Sequence, residues 1–421
     1  MGFTQGLSGL NTSSRALDVI SNNIANTSTV GFKASNTVFA DVYAGALTGV
    51  SSAIQIGYGS KITAVQQSFI DGMPTTTNNP LDMAIIGNGF FVVERFDGTV
   101  AYTRNGQFDI NKDGFLVTPL GEKVMGVRAD ENGVIPPSGG LPQPLFVPQG
   151  DIEPKMTTAV EIRSGNLNAD DPPIVGIPFD PANLDSYNFM HTIPVYDSLG
   201  GQHSMAVYFV KTAAGEWEAY GMLDNIIDTL FPPGPPGPPL PAPPGIPLSF
   251  DEYGKPVTTP VQMPYTAVLT NSAATMNINI DLTNLNQFGS RFSITDHWQD
   301  GYTTGQIAGI VVSQDGVIQG RYTNGQYKDL GQVVLATFRS NQGLARVGDN
   351  MWVESPESGP PIIGRPRSGL NGLVSGGQVE ESNVDLTQEL VNMIIQQRNY
   401  QANAQTIRTQ DQILQTLVNL R

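Results

Sequence analysis

The chain has 421 residues, of which 39% are hydrophobic and 14% charged, so it is long enough for two to four domains and too apolar to be disordered. A net charge of -16 excludes nucleic acid and anionic membrane surfaces as natural partners. With no Cys and three His it offers no disulfide and no Cys/His metal cluster, pH switching is not expected, and no run of about 18 apolar residues forms a membrane span.

Residues 4–26 read as a helix, with Phe3, Leu7, Leu10, Ser14, Leu17, Ser21 and Ile24 stepping by four and three. Arg15 and Asp18 are the charges inside it; the rest of its surface is Ser, Thr and Asn. From 27 to 80 the pattern turns extended. Val38, Phe39 and Tyr43 form an apolar patch, followed by the Gly-flanked stretch Ile54 to Ser60 and by Ile62, Ala64 and Val65. This reads as a hairpin or arm, completed by 371–381, with an ordinary linker as the alternative.

Residues 81–149 carry hairpin grammar. Ala84 to Ile86 and Phe90 to Val93 read as strands about Asn88-Gly89, and Asn105-Gly106 and Asp113-Gly114 are further turn signals. Residues 150–300 read as a second β domain, a barrel or sandwich, with strands near 164–169, 192–197, 205–212, 217–222 and 276–281. Its Pro-rich run 231–247 fits a surface polyproline loop rather than a collagen helix. From Gly301 to 370 the hairpin pattern returns at Asp315-Gly316 and Asn324-Gly325. The predicted class is therefore mainly β with a terminal α-helical coiled coil: a discontinuous β domain (81–149 and 301–370) carrying an inserted one (150–300).

The last segment, 382–421, contains a helix from Leu386 to Arg421. Leu386, Leu390, Met393, Gln397, Tyr400, Ala404, Ile407, Asp411, Leu414 and Val418 form a heptad seam, and Asp385 with Gln388 resembles a capping box. The remaining surface is amide-rich, including Asn392, Gln396, Asn399, Asn403, Gln410 and Gln415. An uncharged face is cheaper to bury than a charged one. The two ends match in character, so they are expected to pair with each other and, in a polymer, with further copies. The assembly seam predicted on this basis is Phe3, Leu7, Leu10, Leu17, Ile24, Leu386, Leu390, Met393, Tyr400, Ile407, Leu414 and Val418.

Enzyme chemistry is not visible. No Walker, Rossmann or HExxH motif is present. Gly87-Asn-Gly89 precedes no helix, so it is no phosphate loop. Asp170-Asp171 and Glu380-Glu381 read as solvated acid pairs, and His191 and His203 as structural histidines. No catalytic residue, metal or cofactor is expected.

Ala16-Leu-Asp-Val-Ile-Ser-Asn-Asn-Ile-Ala-Asn26 with Gly31-Phe-Lys33 resembles the N-terminal signature of the flagellar rod and hook family. Ser382-Asn-Val-Asp-Leu386, Glu389 to Met393 and Gln397-Arg-Asn-Tyr-Gln-Ala-Asn-Ala404 resemble its C-terminal signature. The signature positions are Asn22, Asn23, Asn26, Gly31, Phe32, Asn383, Asp385, Arg398 and Asn399. In the body, Leu81 to Ile85, Arg104 to Phe108 and Gly348-Asp-Asn350 are also similar. Length and the inserted domain fit hook subunits better than rod subunits; the Pro-rich run departs from the pattern.

The resemblance implies a non-enzymatic subunit of a curved tube outside the cell, a universal joint passing torque from rod to filament. It implies export through the flagellar type III apparatus without a cleaved signal peptide. The implied partners are copies of itself, the distal rod protein, the hook cap and the hook–filament junction proteins. The alternatives are a distal rod or hook-associated axial protein and, in another class, a secreted β-rich hydrolase or carbohydrate-binding protein.

Overall fold

A computed structural model of the chain describes residues 2–42, 57, 59–130, 133–136, 141–148, 150–224, 245–257, 259–269 and 271–419. They divide into two compact units. The first joins Met1–Gln149, Gly309–Arg321 and Tyr327–Arg421; the second joins Gly150–Ala308 and Tyr322–Gln326. The chain thus returns to the first unit at Gly309, later than the sequence pattern suggested, because Ile152 and Lys155 bridge to Gly305 and Tyr302 and hold them in the second unit. The terminal helices share one unit with the first β body rather than standing apart.

The first unit opens with α1 (Gly2–Ala25) and a hairpin of β1 (Ser35–Asp41) and β2 (Ser60–Gln67), registered from Ser35↔Gln67 to Asp41↔Ser60 with a bulge at Val38/Phe39. The Gln5 amide donates to the Gly57 carbonyl at 2.6 Å, and Thr12 and Ser60 share a hydroxyl contact at 3.1 Å, so the hairpin leans on α1. Tyr43 and residues 54–56 lie outside the described residues. Then come β3 (Pro74–Thr76), β4 (Met83–Ile86), β5 (Phe90–Glu94) and β6 (Val100–Thr103).

The expected hairpin about Asn88-Gly89 does not form. Gly87 and Gly89, at φ +99° and +130°, swing the chain between sheets. Consequently β4 pairs with Leu373–Gly376, while β5 pairs with β6 and with the strands Lys123–Arg128 and Leu335–Thr337. Along β5, Phe91 and Val93 enter one core beside Leu116, Val124 and Leu335; Phe90 and Val92 enter another beside Tyr102 and Trp352. A strand covered on both faces reads as a continuous apolar run, which explains Phe-Phe-Val-Val. Each such burial contributes about 1.5–3 kcal/mol.

The second unit is a sandwich. One sheet orders the strands Gln262–Ala267, Met276–Asp281, Ala159–Asn168 and Leu285–Phe288, with Ser293–Gln299 pairing the third. The other is Phe189–Tyr196, Gln202–Ala213, Glu216–Leu223 and Ile246–Ser249. Ile162, Leu167, Val207, Phe209, Trp217 and Ile280 meet in its core. Residues 231–244 of the Pro-rich run lie outside the described residues; Ile246 and Pro247 belong to a strand, opposite Ala219 and Glu218. His203 stands between two acids: Asp224 Oδ2 lies 2.5 Å from its Nδ1 and Asp197 Oδ2 lies 3.3 Å from its Nε2.

The chain closes with α2 (Leu386–Asn419), 34 residues and about 51 Å long. Asp385 caps it, accepting the Thr387 and Gln388 amides at 2.8 and 3.1 Å. Gln388 donates forward to Asn392 rather than back to the cap, so the capping box is half formed.

Candidate functional site

The two chain ends meet in the first unit, and a small-residue face makes the meeting possible. On α1 the inward positions are Gly6, Gly9, Ser13, Ala16, Ile20 and Asn23, spaced three and four apart. A Cβ on Gly9 would come within 2.7 Å of the Asn403 side chain, and one on Gly6 within 3.0 Å of Ile407 Cγ1. On α2 the covered positions include Glu389, Asn392, Gln396, Asn403, Ile407 and Gln410. Part of the amide surface, together with Ile407 of the apolar stripe, therefore faces α1.

The two ends pair within one chain, as their matched character suggested, but the face they share takes in only part of the predicted seam. Of the predicted seam, Phe3, Leu7, Leu386, Leu390, Tyr400 and Leu414 are exposed; Leu10, Leu17, Ile24, Met393 and Ile407 are half-buried. The side chain of Val418 lies outside the described residues. The physical reason is backbone approach: Gly6, Gly9, Ser13 and Ala16 let α1 close on α2, so that even a Cβ on Gly9 would crowd the Asn403 side chain. A hydrophobic repeat cannot register that preference.

Behind the helices, side chains from distant segments lock the ends to the β body. Asn23 grips Ser35 twice, donating to its carbonyl at 2.8 Å and accepting from its amide at 2.9 Å, and reaches Glu389 Oε1 at 3.3 Å. Asn26 donates to the Asn22 carbonyl at 2.9 Å and accepts from Thr29 Oγ1 at 3.1 Å. Gly31, at φ +70°, donates to the Glu380 carbonyl, and a Cβ there would stand 2.6 Å from the Arg104 backbone. Phe32 clusters with Ala34 and Val384. Asn383 accepts from the Ala34 amide at 2.7 Å and donates to the Ser68 and Ile70 carbonyls at 2.8 and 3.0 Å. Of the signature positions Asn22, Asp385, Arg398 and Asn399 are exposed, and the Asn399 amide touches Gln396 at 3.5 Å.

A buried charge cluster completes the lock. Lys33 Nζ donates to Glu380 Oε1 at 2.6 Å and to the Ile70 carbonyl at 2.8 Å. Arg104 Nη1 donates to Glu380 Oε2 at 3.1 Å and to Asp71 Oδ1 at 3.2 Å, and its Nη2 to the Gly87 carbonyl at 2.7 Å. Burial, joined by the neighbouring Arg104 charge and opposed by Glu380, holds the Lys33 amine below its ordinary value. The reading of Glu380-Glu381 as a solvated pair holds for Glu381, which is exposed, and fails for Glu380, which is 1% exposed. Sequence reasoning also missed Gln67, which accepts the Trp352 indole N–H at 2.7 Å and, through its carbonyl, the Gln342 amide at 2.6 Å. No local signal marks these residues, since Glu380 lies 347 and 276 positions from Lys33 and Arg104, and Trp352 lies 285 from Gln67.

Four family models match the chain. The flagellar basal body rod protein model matches residues 5–33, and the flagellar hook protein FlgE/F/G D1 domain 84–167. The flagellar basal body protein FlaE D2 domain matches 166–302, and the flagellar basal body rod FlgEFG protein C-terminal model 375–420. The chain is 40% identical to the flagellar hook protein FlgE of Salmonella typhimurium and 39% identical to that of Escherichia coli, over the full length of every chain. It is 31% identical to the FlgE of Borreliella burgdorferi, covering 99% of this chain and 98% of the relative. Among solved structures, the Helicobacter pylori flagellar hook protein FlgE2 matches with a TM-score of 0.53 at 15% identity, covering 74% of this chain and 100% of that one, a likeness of fold. The chain belongs to the flagellar hook protein family and is a structural subunit of the flagellar hook.

Proposed function

We propose that this hook subunit assembles through the paired helices α1 and α2, which form the inner wall of a tube, while both β units lie outside. The observation that carries the reading is an uncovered apolar arc. Leu386, Leu390, Val391, Ile394 and Ile395 are each 45–51% exposed on one stretch of α2, with no charged residue between Leu390 and Ile395. A contiguous patch of that kind marks an interaction surface. Leu386, Leu390, Tyr400 and Leu414 of the predicted seam then face neighbouring copies, while Ile407 and Met393 support the pair from within.

The buried lock of Lys33, Arg104 and Glu380 suits transmission of torque, because it ties the helical pair to the β body through charged groups that cannot be parted cheaply. Bending of the tube calls for polar, replaceable contacts between the outer units. The partners in this reading are copies of the chain, the distal rod protein, the hook cap, the hook–filament junction proteins and the type III export apparatus. The place of work is outside the cell.

The test is polymerisation of purified protein at high concentration in a salting-out buffer, imaged by electron microscopy beside a chain ending at Glu381. Tubes are expected from the full chain alone. Tubes from the shortened chain would refute the helical assembly reading.

A further inference from the structure

Glu389 sits at a charge imbalance that the single chain leaves unresolved. It is 8% exposed; its Oε1 accepts from Asn23, and its Oε2 meets no donor among the described residues. A buried carboxylate oxygen without a donor is costly. Glu389 borders a recess of about 150 Å³ whose other polar walls are Ser35, Asn36, Thr37, Asn392 and Gln396. Liquid water takes about 30 Å³ per molecule, so a planar guanidinium fits with room for water. The walls supply carbonyl and hydroxyl acceptors suited to several N–H donors at once. No group of three His, Cys, Asp or Glu able to hold a metal ion stands among the described residues.

We propose that this recess receives the guanidinium of Arg398 from a second copy of the chain. Arg398 is exposed and has no ion-pair or hydrogen-bond partner among the described residues. It follows Val391 by seven, Ile394 by four and Ile395 by three, so it continues the exposed apolar arc of α2. A copy docking through that arc carries Arg398 with it. Of the other cations on the helical pair, Arg408 stands well beyond the arc and Arg15 lies on α1. Within one chain the contact is impossible: nine steps of about 100° put positions 389 and 398 on opposite sides of α2. A contact joining one face to the opposite face is heterologous, and repeated it builds a ring or an open helical polymer rather than a closed dimer.

The inference rests on the helical assembly reading, and its tests separate the two. In assembled R398K tubes a carbodiimide should join the substituted position to Glu389 by an amide, found by mass spectrometry as a linked peptide absent from monomers. Links elsewhere along α2 without this one overturn the pairing and leave the assembly reading standing. Independently, E389Q and R398Q should each raise the critical concentration for assembly about tenfold, and the double variant no further than either alone. Unchanged assembly of either single variant, or fully additive losses, overturns the pairing. Calorimetry of the variant monomers, with R398Q expected to match the parent and E389Q expected to be no less stable than it, separates a lost contact from a lost fold.

Discussion

Glu380 and Glu381 are adjacent in sequence and opposite in fate. The strand Gln378–Glu380 pairs with β3 and turns Glu380 inward, where it meets two cations; Glu381 faces solvent. Its partners Lys33 and Arg104 lie 347 and 276 residues away, so composition shows only an acid pair in an acidic chain. By contrast the signature asparagines were legible as marks of a family, though not in their roles: Asn23 and Asn383 serve as backbone clamps. Replacing Glu380 by Gln leaves Lys33 and Arg104 buried with the partly exposed Asp71 as their remaining carboxylate. The expected loss is about 3 kcal/mol, as for other buried ion pairs broken on one side. Chemical denaturation of the monomer measures it, and E380Q with K33M should recover part of the loss. An E380Q midpoint equal to the parent's would mean the cluster does not hold the ends.

At the scale of the element, the helices were legible because period and cap survive in any sequence window: α1 and α2 start and stop within a few residues of the pattern. Which face each helix buries was not, because the choice turns on how closely two backbones approach. Gly6 and Gly9 carry that information, but a glycine in a helix reads first as a weak helix former. The structure divides the predicted seam between contacts inside the chain and surface left open, and the division predicts two different failures. Ile407→Asp puts a carboxylate against Gly6, so it should unpair α1 from α2, lower monomer helicity by circular dichroism and abolish tubes. Leu386→Asp, on exposed surface, should leave monomer helicity unchanged and still block assembly. Equal monomer spectra for both would contradict the placement of Ile407; normal tubes from Leu386→Asp would contradict an interaction role for the exposed arc.

For the whole molecule, the return of hairpin turns after residue 300 made a discontinuous first unit legible, whereas the pairing of β4 with Leu373–Gly376 had no sequence signal across so long a loop. The same scale governs pH response, because the two units have separate cores and separate titrating clusters. In the second unit burial resists the imidazolium of His203, but Asp224 and Asp197 outweigh it and raise its pKa above the ordinary 6.5. Burial likewise opposes the Asp197 carboxylate, and Asn271, His203 and the Gly201 and Leu199 amides overcome that and hold it below 3.8. A raised histidine stabilises the fold fully below its unfolded value, and the contribution disappears as pH rises through the folded value; a depressed aspartate stabilises above its unfolded value, and the contribution is lost as pH falls through the folded one. The cluster therefore supports the second unit most between about 4 and 6.5. Two calorimetric transitions are expected from two cores, and raising the pH from 6 toward 9 should lower that of the second unit, with H203Q removing this slope and leaving the transition of the first unit in place. A parent profile identical to that of H203Q would show that His203 enters the folded and unfolded chains with the same proton affinity, and the short contacts to Asp197 and Asp224 would then carry no net charge stabilisation.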